Sequence, residues 1–352
     1  MARESSHFQR LYWIDFMRVV AIFLVIFIHV SADLLYGWGK VSPGNWMIGN
    51  IYDSLARVSV PLLFMISGFL LLGKNEPVKD FFLKRSIKVL IPFIAWTLIY
   101  LFWRCNVNGG VCTKKVITRL ILFEGTAYHL WFLYVLLGLY LITPFLRIIT
   151  TSGQKRILWY LVALWLVFQT GVAILDKVWG LSLGITVPMA TGYIGYFVLG
   201  HLLSEIQLGR GGIVLSLITC LAGIIATAAG TYFISSQAGK FDGFFYEYLS
   251  LNVIVASISA FLLLKSLATQ NESGEGFFQK AVTQLAAGTF GIYLIHVMIL
   301  DIIGGRIPLI HFNVEMGNPV WSIPLVSVVA FFASFCAVYV LQKIPFLNRI
   351  VP

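Results

Sequence analysis

Apolar residues fall along this chain in ten runs of the length a helix needs to cross a bilayer: residues 11–34, 53–73, 86–103, 128–149, 157–175, 187–206, 212–234, 244–267, 284–304 and 319–341. Polar stretches separate them, and none is long enough to hold a soluble domain. A strand-period alternation would leave backbone unsatisfied in lipid, so the runs predict helices. The expected fold is therefore all-α and polytopic, about ten transmembrane helices in a single membrane domain over residues 1–352. The first run follows a short polar segment, Met1 to Gln9, and lacks a small-residue cleavage site. It is expected to be a retained span, not a removed signal. No internal repeat of the kind that marks inverted-topology transporters is visible.

Composition supports this picture: 59% of residues are hydrophobic and 11% charged, with a mean hydropathy of +0.88, far from a soluble domain. A net charge of +10 raises nucleic acid as a partner, but the basic residues sit in short loops, where membrane topology requires them. No nucleic-acid partner is expected. With a cytoplasmic N-terminus the Lys and Arg other than Arg18 divide fifteen towards the inside against nine towards the outside, which favours both termini in the cytoplasm. The segment from Arg104 to Arg119 runs against that count. Cys220 and Cys336 lie in apolar runs; Cys105 and Cys112 share one loop, as a disulfide or as two free thiols. Their spacing matches no metal site, and none is expected.

Ionisable residues inside a span are costly and normally face a bundle interior that uses them. The first run places Arg18 and His29 among its apolar residues. Eleven helical steps turn about 1100°, so both fall on one stripe, roughly 16 Å apart. Asp15 and Asp33 sit three and four positions away on the same face. Asp33 either orients the His29 imidazole, leaving the other ring nitrogen free as a base, or is a solvated residue just past the helix. Entry to the third run carries Lys84, Arg85 and Lys88, a cytoplasmic basic cluster suited to phosphates, to anionic lipid or simply to topology. Tyr128-His129-Leu130-Trp131-Phe132 opens the fourth run, and His296 lies in the outer half of the ninth. His29, His129 and His296 are thereby expected at similar depth. Arg57 lies near the outer end of the second run, and Ser67-Gly68 is read as a close-packing pair rather than a nucleophile.

Taken together, Arg18 with His29, Ser67-Gly68-Phe69, Lys84-Arg85 to Lys88 before Pro92, His129-Leu130-Trp131-Phe132 and Tyr293-Leu294-Ile295-His296 resemble the membrane-bound acyltransferase family 3. These are ten-span bacterial proteins that acylate extracytoplasmic glycans. Tyr12-Trp13-Ile14-Asp15, Arg57 to Leu62 and Tyr128 to Phe132 look closest to the enterobacterial common antigen O-acetyltransferase branch. The resemblance implies a multi-pass protein of the bacterial cytoplasmic (inner) membrane, with acyl-CoA as co-substrate, acetyl-CoA above all, and no bound cofactor. The acceptor would be a hydroxyl of a glycan or lipid-linked oligosaccharide, and membrane lipid the surrounding partner. Arg18 and His29 would be needed for transfer, His29 as general base and Arg18 positioning the donor or stabilising charge. Lys84, Arg85 and Lys88 would bind the donor, and Asp33, Arg57, His129, Trp131 and His296 would lie on the acceptor side. Lys88 departs from the pattern, since many members carry an arginine there and lysine cannot make a bidentate phosphate contact. Members fused to an extracytoplasmic esterase-like domain finish transfer on it; with Pro352 close behind the last run, this chain is expected to work alone or with a separate partner. Direct and ping-pong transfer both remain open. The rival expectations are a transporter or flippase for a lipid-linked glycan or small solute, and a non-catalytic sensor or scaffold.

Overall fold

A computed structural model describes residues 11–107, 109–180, 192–270, 276–306 and 311–352. Every regular element among them is helical, as a chain that must satisfy its backbone inside lipid requires. Among the described residues, eight helical stretches are long and apolar enough to cross a membrane. The fifth predicted run is also helical, as α8 (Lys155–Leu166), a π-helical turn and α9 (Val172–Trp179). The sixth begins outside the described residues and emerges as the apolar α10 (Ile194–Leu203). The protein is an all-α, multi-pass membrane protein.

Helix α1 (Tyr12–Tyr36) is the axis of the bundle. It packs on α2 (Pro43–Ala56), α3 (Ser59–Leu72), α12 (Leu251–Gln270), α13 (Phe277–Asp301) and α14 (Pro319–Lys343). Its fully buried Met17, Ala21, Ile26 and Ser31 follow from that central position. Asp33 lies within this helix, not in a loop beyond it.

The second predicted run starts ten residues too late. Ser42 caps α2 by accepting from the Asn45 N–H at 3.3 Å and Pro43 opens the first turn, both favourable at a helix start. The stretch escaped a hydropathy reading because its inward face is polar: Gly49, Asn50, Asp53 and Ser54 are buried. A Cβ on Gly49 would come within 2.9 Å of Leu34 Cβ, so the glycine is what lets α2 lie against α1.

Helices α3 and α10 cross closer still. A Cβ on Gly68 would fall 1.7 Å from the Phe197 carbonyl oxygen, and one on Gly200 1.8 Å from that of Met65. Reciprocal small residues bringing two backbones together are the usual device where lipid supplies no hydrophobic drive. Ser67 beside them donates to the Leu63 carbonyl of its own helix at 2.8 Å.

Three further elements carry the site: α4 (Val78–Arg85), α5 (Ile91–Asn106) and α7 (Trp131–Thr151). A single π-helical turn, Ser86–Leu90, joins α4 to α5. Cys105, in the last turn of α5, is disulfide-bonded to Cys112.

Candidate active site

Two cavities open on opposite halves of α1. The first, about 580 Å³, is lined by Asp15 and Arg18 of α1, Leu63, Ile66, Ser67 and Leu70 of α3, Lys74, Arg85, Lys88, Tyr140 of α7, and Phe290 and Tyr293 of α13. Arg18 lies 3.6 Å from Asp15 one turn away. Lys88 stands in the π-helical turn. Such turns shift side-chain register and recur at functional sites; here both Arg85 and Lys88 face one cavity.

Beside this cavity the loop residue Glu76 draws three basic side chains together. Lys84 Nζ lies 3.0 Å from it, Arg147 Nη2 3.1 Å and Arg85 Nη2 3.4 Å. Burial works to raise the Glu76 pKa, but the hydrogen bonds from Lys84 and Arg147 and the Arg85 charge outweigh it and hold the carboxyl below its ordinary value. Arg147 also donates to the Leu71 carbonyl at 2.8 Å and lies over the Phe81 ring. Burial, then the Arg85 guanidinium, pulls the Lys74 pKa down, with Glu76 opposing. This mouth holds an excess of positive charge, and an anion entering it would relieve that excess.

The second cavity, about 510 Å³, is lined by His29, Val30 and Asp33 of α1, Tyr128, Val297, Leu300 and Asp301 of α13, Gly304, Gly305, Phe312, Asn313 and Val314, with Val326 of α14. Its polar groups are an imidazole, a phenol, two carboxylates and a carboxamide, an inventory suited to hydroxyl-rich ligands. Asp301 accepts from Trp103 Nε1 at 3.0 Å, which puts the Cys105–Cys112 disulfide at this end of the bundle.

Between the cavities lies a partition of aromatic side chains. The His29 ring stacks on His296 with centroids 5.3 Å apart and 21° between planes. Tyr128 meets it edge-on at 4.9 Å. The His129 ring stands edge-on to His296 at 5.0 Å, to Tyr100 at 5.1 Å and to Tyr293 at 5.4 Å. The three histidines expected at similar depth are thus brought together. His296 Nδ1 lies 2.7 Å from the Tyr293 carbonyl, and the Tyr293 hydroxyl donates to the carbonyl of His129. His129 and His296 are buried, and His29 partly so.

The structure distributes the other predicted residues unevenly. Arg18 and His29 share one uninterrupted helix but face different cavities. Asp33 lines the His29 cavity without a hydrogen bond to the imidazole, whose neighbours are rings. Arg85 and Lys88 reach the Arg18 cavity; Lys84, largely exposed, is held at its rim by Glu76. Arg57 is taken up by Asp53 and the faces of Tyr246 and Tyr248. Trp131 packs on Tyr193 and Tyr248. Arg57, Trp131, Lys84, His129 and His296 are not among the residues lining the two cavities; the last two stand in the partition instead.

Lys74, Glu76, Arg147 and Asp301 were missed as site residues. Arg147 lay inside the fourth run, where the rule that selects Arg18 selects it too. Glu76 gave no signal, because its partners come from separate helices.

The model of the acyltransferase domain known as acyltransferase 3 matches residues 11–342. An amino-acid racemase of Enterococcus faecalis is 34% identical over 127 residues, 34% of this chain and 16% of the relative. The serine/alanine racemase of Enterococcus gallinarum is 28% identical over 167 residues, 44% of this chain and 22% of the relative. The succinoglycan biosynthesis protein ExoH of Rhizobium meliloti is 25% identical over 169 residues, 43% of this chain and 46% of the relative. The chain therefore spans less than a quarter of the racemases' length and about half of ExoH. No solved structure matches it. The family match runs from the residue before α1 into the last turn of α14 and takes in both cavities and the partition; the chain belongs to the acyltransferase 3 family.

Proposed function

We propose that this protein transfers an acyl group, acetyl from acetyl-CoA in the first instance, to a hydroxyl of an extracytoplasmic or lipid-linked glycan. The observation that carries the reading is the pair of cavities on one helix: a basic one at Arg18, a hydroxyl-suited one at His29, and one partition between. A coenzyme A donor is made in the cytosol and is strongly anionic. Lys74, Arg85 and Lys88 would hold its phosphates, while Arg18 positions the arm that carries the thioester on to the partition. His29 would take the proton of the acceptor hydroxyl. Arg18 serves the donor and His29 the acceptor, because roughly 16 Å of straight helix keeps them off one atom.

The basic excess on the Arg18 side favours that side, and both termini, in the cytoplasm. The disulfide at the other end favours an oxidising exterior there. Together they support a bacterial cytoplasmic membrane enzyme. Kinship with a succinoglycan biosynthesis protein supports a surface polysaccharide or its lipid-linked precursor as acceptor, and the likeness to the enterobacterial common antigen branch makes an amino-sugar repeat the first glycan to try. The racemase names belong to proteins of which this chain spans too little to carry that activity over. A flippase would need one path for a whole glycan, and the partition favours chemistry across a wall instead.

The test is acetyl transfer by purified protein in vesicles, with mass spectrometry of the glycan. Wild type should acetylate. His29→Ala should abolish transfer at normal membrane levels, and Arg18→Lys should be poor if planar bidentate contact matters. Near-normal acetylation by His29→Ala would remove the assigned base.

A further inference from the structure

The partition holds three imidazoles, and their hydrogen bonds divide them by chemistry. His29 faces the cavity proposed for the acceptor. His296 has spent its N–H: a carbonyl oxygen only accepts, so the nitrogen 2.7 Å from the Tyr293 carbonyl carries the hydrogen. His129 differs from both. It is 2% exposed, and neither of its ring nitrogens has a hydrogen-bond partner. An imidazole carries at least one N–H in either neutral tautomer. The acceptor beside this ring is the Leu294 carbonyl, which already accepts from the Tyr100 hydroxyl at 2.8 Å, so His129 keeps a buried donor without a well-formed hydrogen bond, at a cost of up to about 1–3 kcal/mol against a satisfied one.

Its position supplies a reason. Tyr128, one residue before, lines the His29 cavity; Phe132, three residues after, lines the Arg18 cavity. The Tyr293 hydroxyl, bonded to the His129 carbonyl, fixes the backbone from which the ring projects. His129 itself lines neither cavity; its ring stands in the wall between them, which an acyl group passing from one to the other must cross.

Resting on the acyl-transfer reading, we infer that His129 is a catalytic residue whose ring N–H donates to the carbonyl oxygen of the transferring acyl group, stabilising its charge in the tetrahedral transition state. The acceptor oxygen bonds to the carbonyl carbon while its proton passes to His29. The C–O double-bond electrons move onto oxygen, against His129. When they return, the C–S bond breaks and the electron pair leaves with the coenzyme sulfur, which takes a proton from water; His29 releases its proton to water on the acceptor side. A hydrogen bond unmade in the ground state and made in the transition state contributes wholly to rate.

The experiment compares wild type, His129→Phe and His129→Gln in vesicles with acetyl-CoA and the unacetylated lipid-linked amino-sugar repeat. Phenylalanine keeps the ring packing and lacks the N–H; glutamine keeps an N–H. Loss of one such donor costs about 10²–10³-fold in rate, and a contact made only in the transition state lowers kcat while leaving KM for both substrates in place. We expect that drop for His129→Phe and recovery of at least about tenfold by His129→Gln. Unchanged kcat in His129→Phe, an effect confined to KM, or equal impairment of both variants overturns the assignment while leaving acyl transfer intact. If wild type itself does not transfer from acetyl-CoA, the function proposed above falls and this assignment falls with it.

Discussion

Gly68→Ala tests the packing that frames the donor-side cavity. The added Cβ would stand 1.7 Å from the Phe197 carbonyl oxygen, whereas ordinary Cβ contacts begin at 3.4 Å. The obstacle is backbone and cannot rotate aside, so α3 and α10 must part by up to the difference, about 1.7 Å. That opening also strips contacts from the reciprocal Gly200–Met65 crossing. Overpacking a core costs typically 1–3 kcal/mol, and a backbone-to-backbone contact places this substitution at or above the top of that range, about 3 kcal/mol. The displaced helix also carries Ile66, Ser67 and Leu70 of the Arg18 cavity, so donor affinity should fall with stability. The assay is thermal unfolding of detergent-solubilised protein followed by size exclusion, with Gly138→Ala as control. At Gly138 a Cβ meets nothing within 4 Å, and alanine there should be neutral or slightly stabilising. Equal midpoints for the two variants would refute the reasoning.

Two further outcomes follow from the same geometry. Glu76 sits in the loop between α3 and α4 with its folded pKa held below 4.5; a depressed carboxyl stabilises the fold above its unfolded pKa, and that stability drains as pH falls through the folded value. Wild type should therefore lose stability below about pH 4.5 more steeply than Glu76→Gln, and parallel curves would show that the ion cluster contributes nothing. Thiol labelling of denatured, unreduced protein should find two reactive cysteines, Cys220 and Cys336, and four after reduction; four at the outset would remove the disulfide.

Much of this was legible in the sequence because bilayer physics writes itself in simple periods. Long apolar runs gave the helices, and the expense of charge in lipid singled out Arg18 and His29 before any helix could be placed. What escaped depends on polar faces turned inward. Helix α2 hid behind Gly49, Asn50 and Asp53, whose low hydropathy mimics a loop although they are buried against α1. Arg57 was expected on the acceptor side, although Asp53, one helical turn before it in the same predicted run, is the carboxylate that holds it. The similar depth of His29, His129 and His296 was legible from their places in three runs, but that their rings would meet depends on how three separate helical segments pack. Glu76 is similar: a single loop carboxylate gains its meaning only when α4 and α7 deliver their arginines to it.

The partition between the two cavities has a consequence for the cell as a whole. Under the proposed function, a wall of packed rings would let reactivity be handed from one side to the other while neither coenzyme nor sugar changed compartment. Packed rings between the two cavities would also deny ions a wet path, so the gradient that the membrane stores, worth about 2.3 kcal/mol per charge per 100 mV, would survive each turnover.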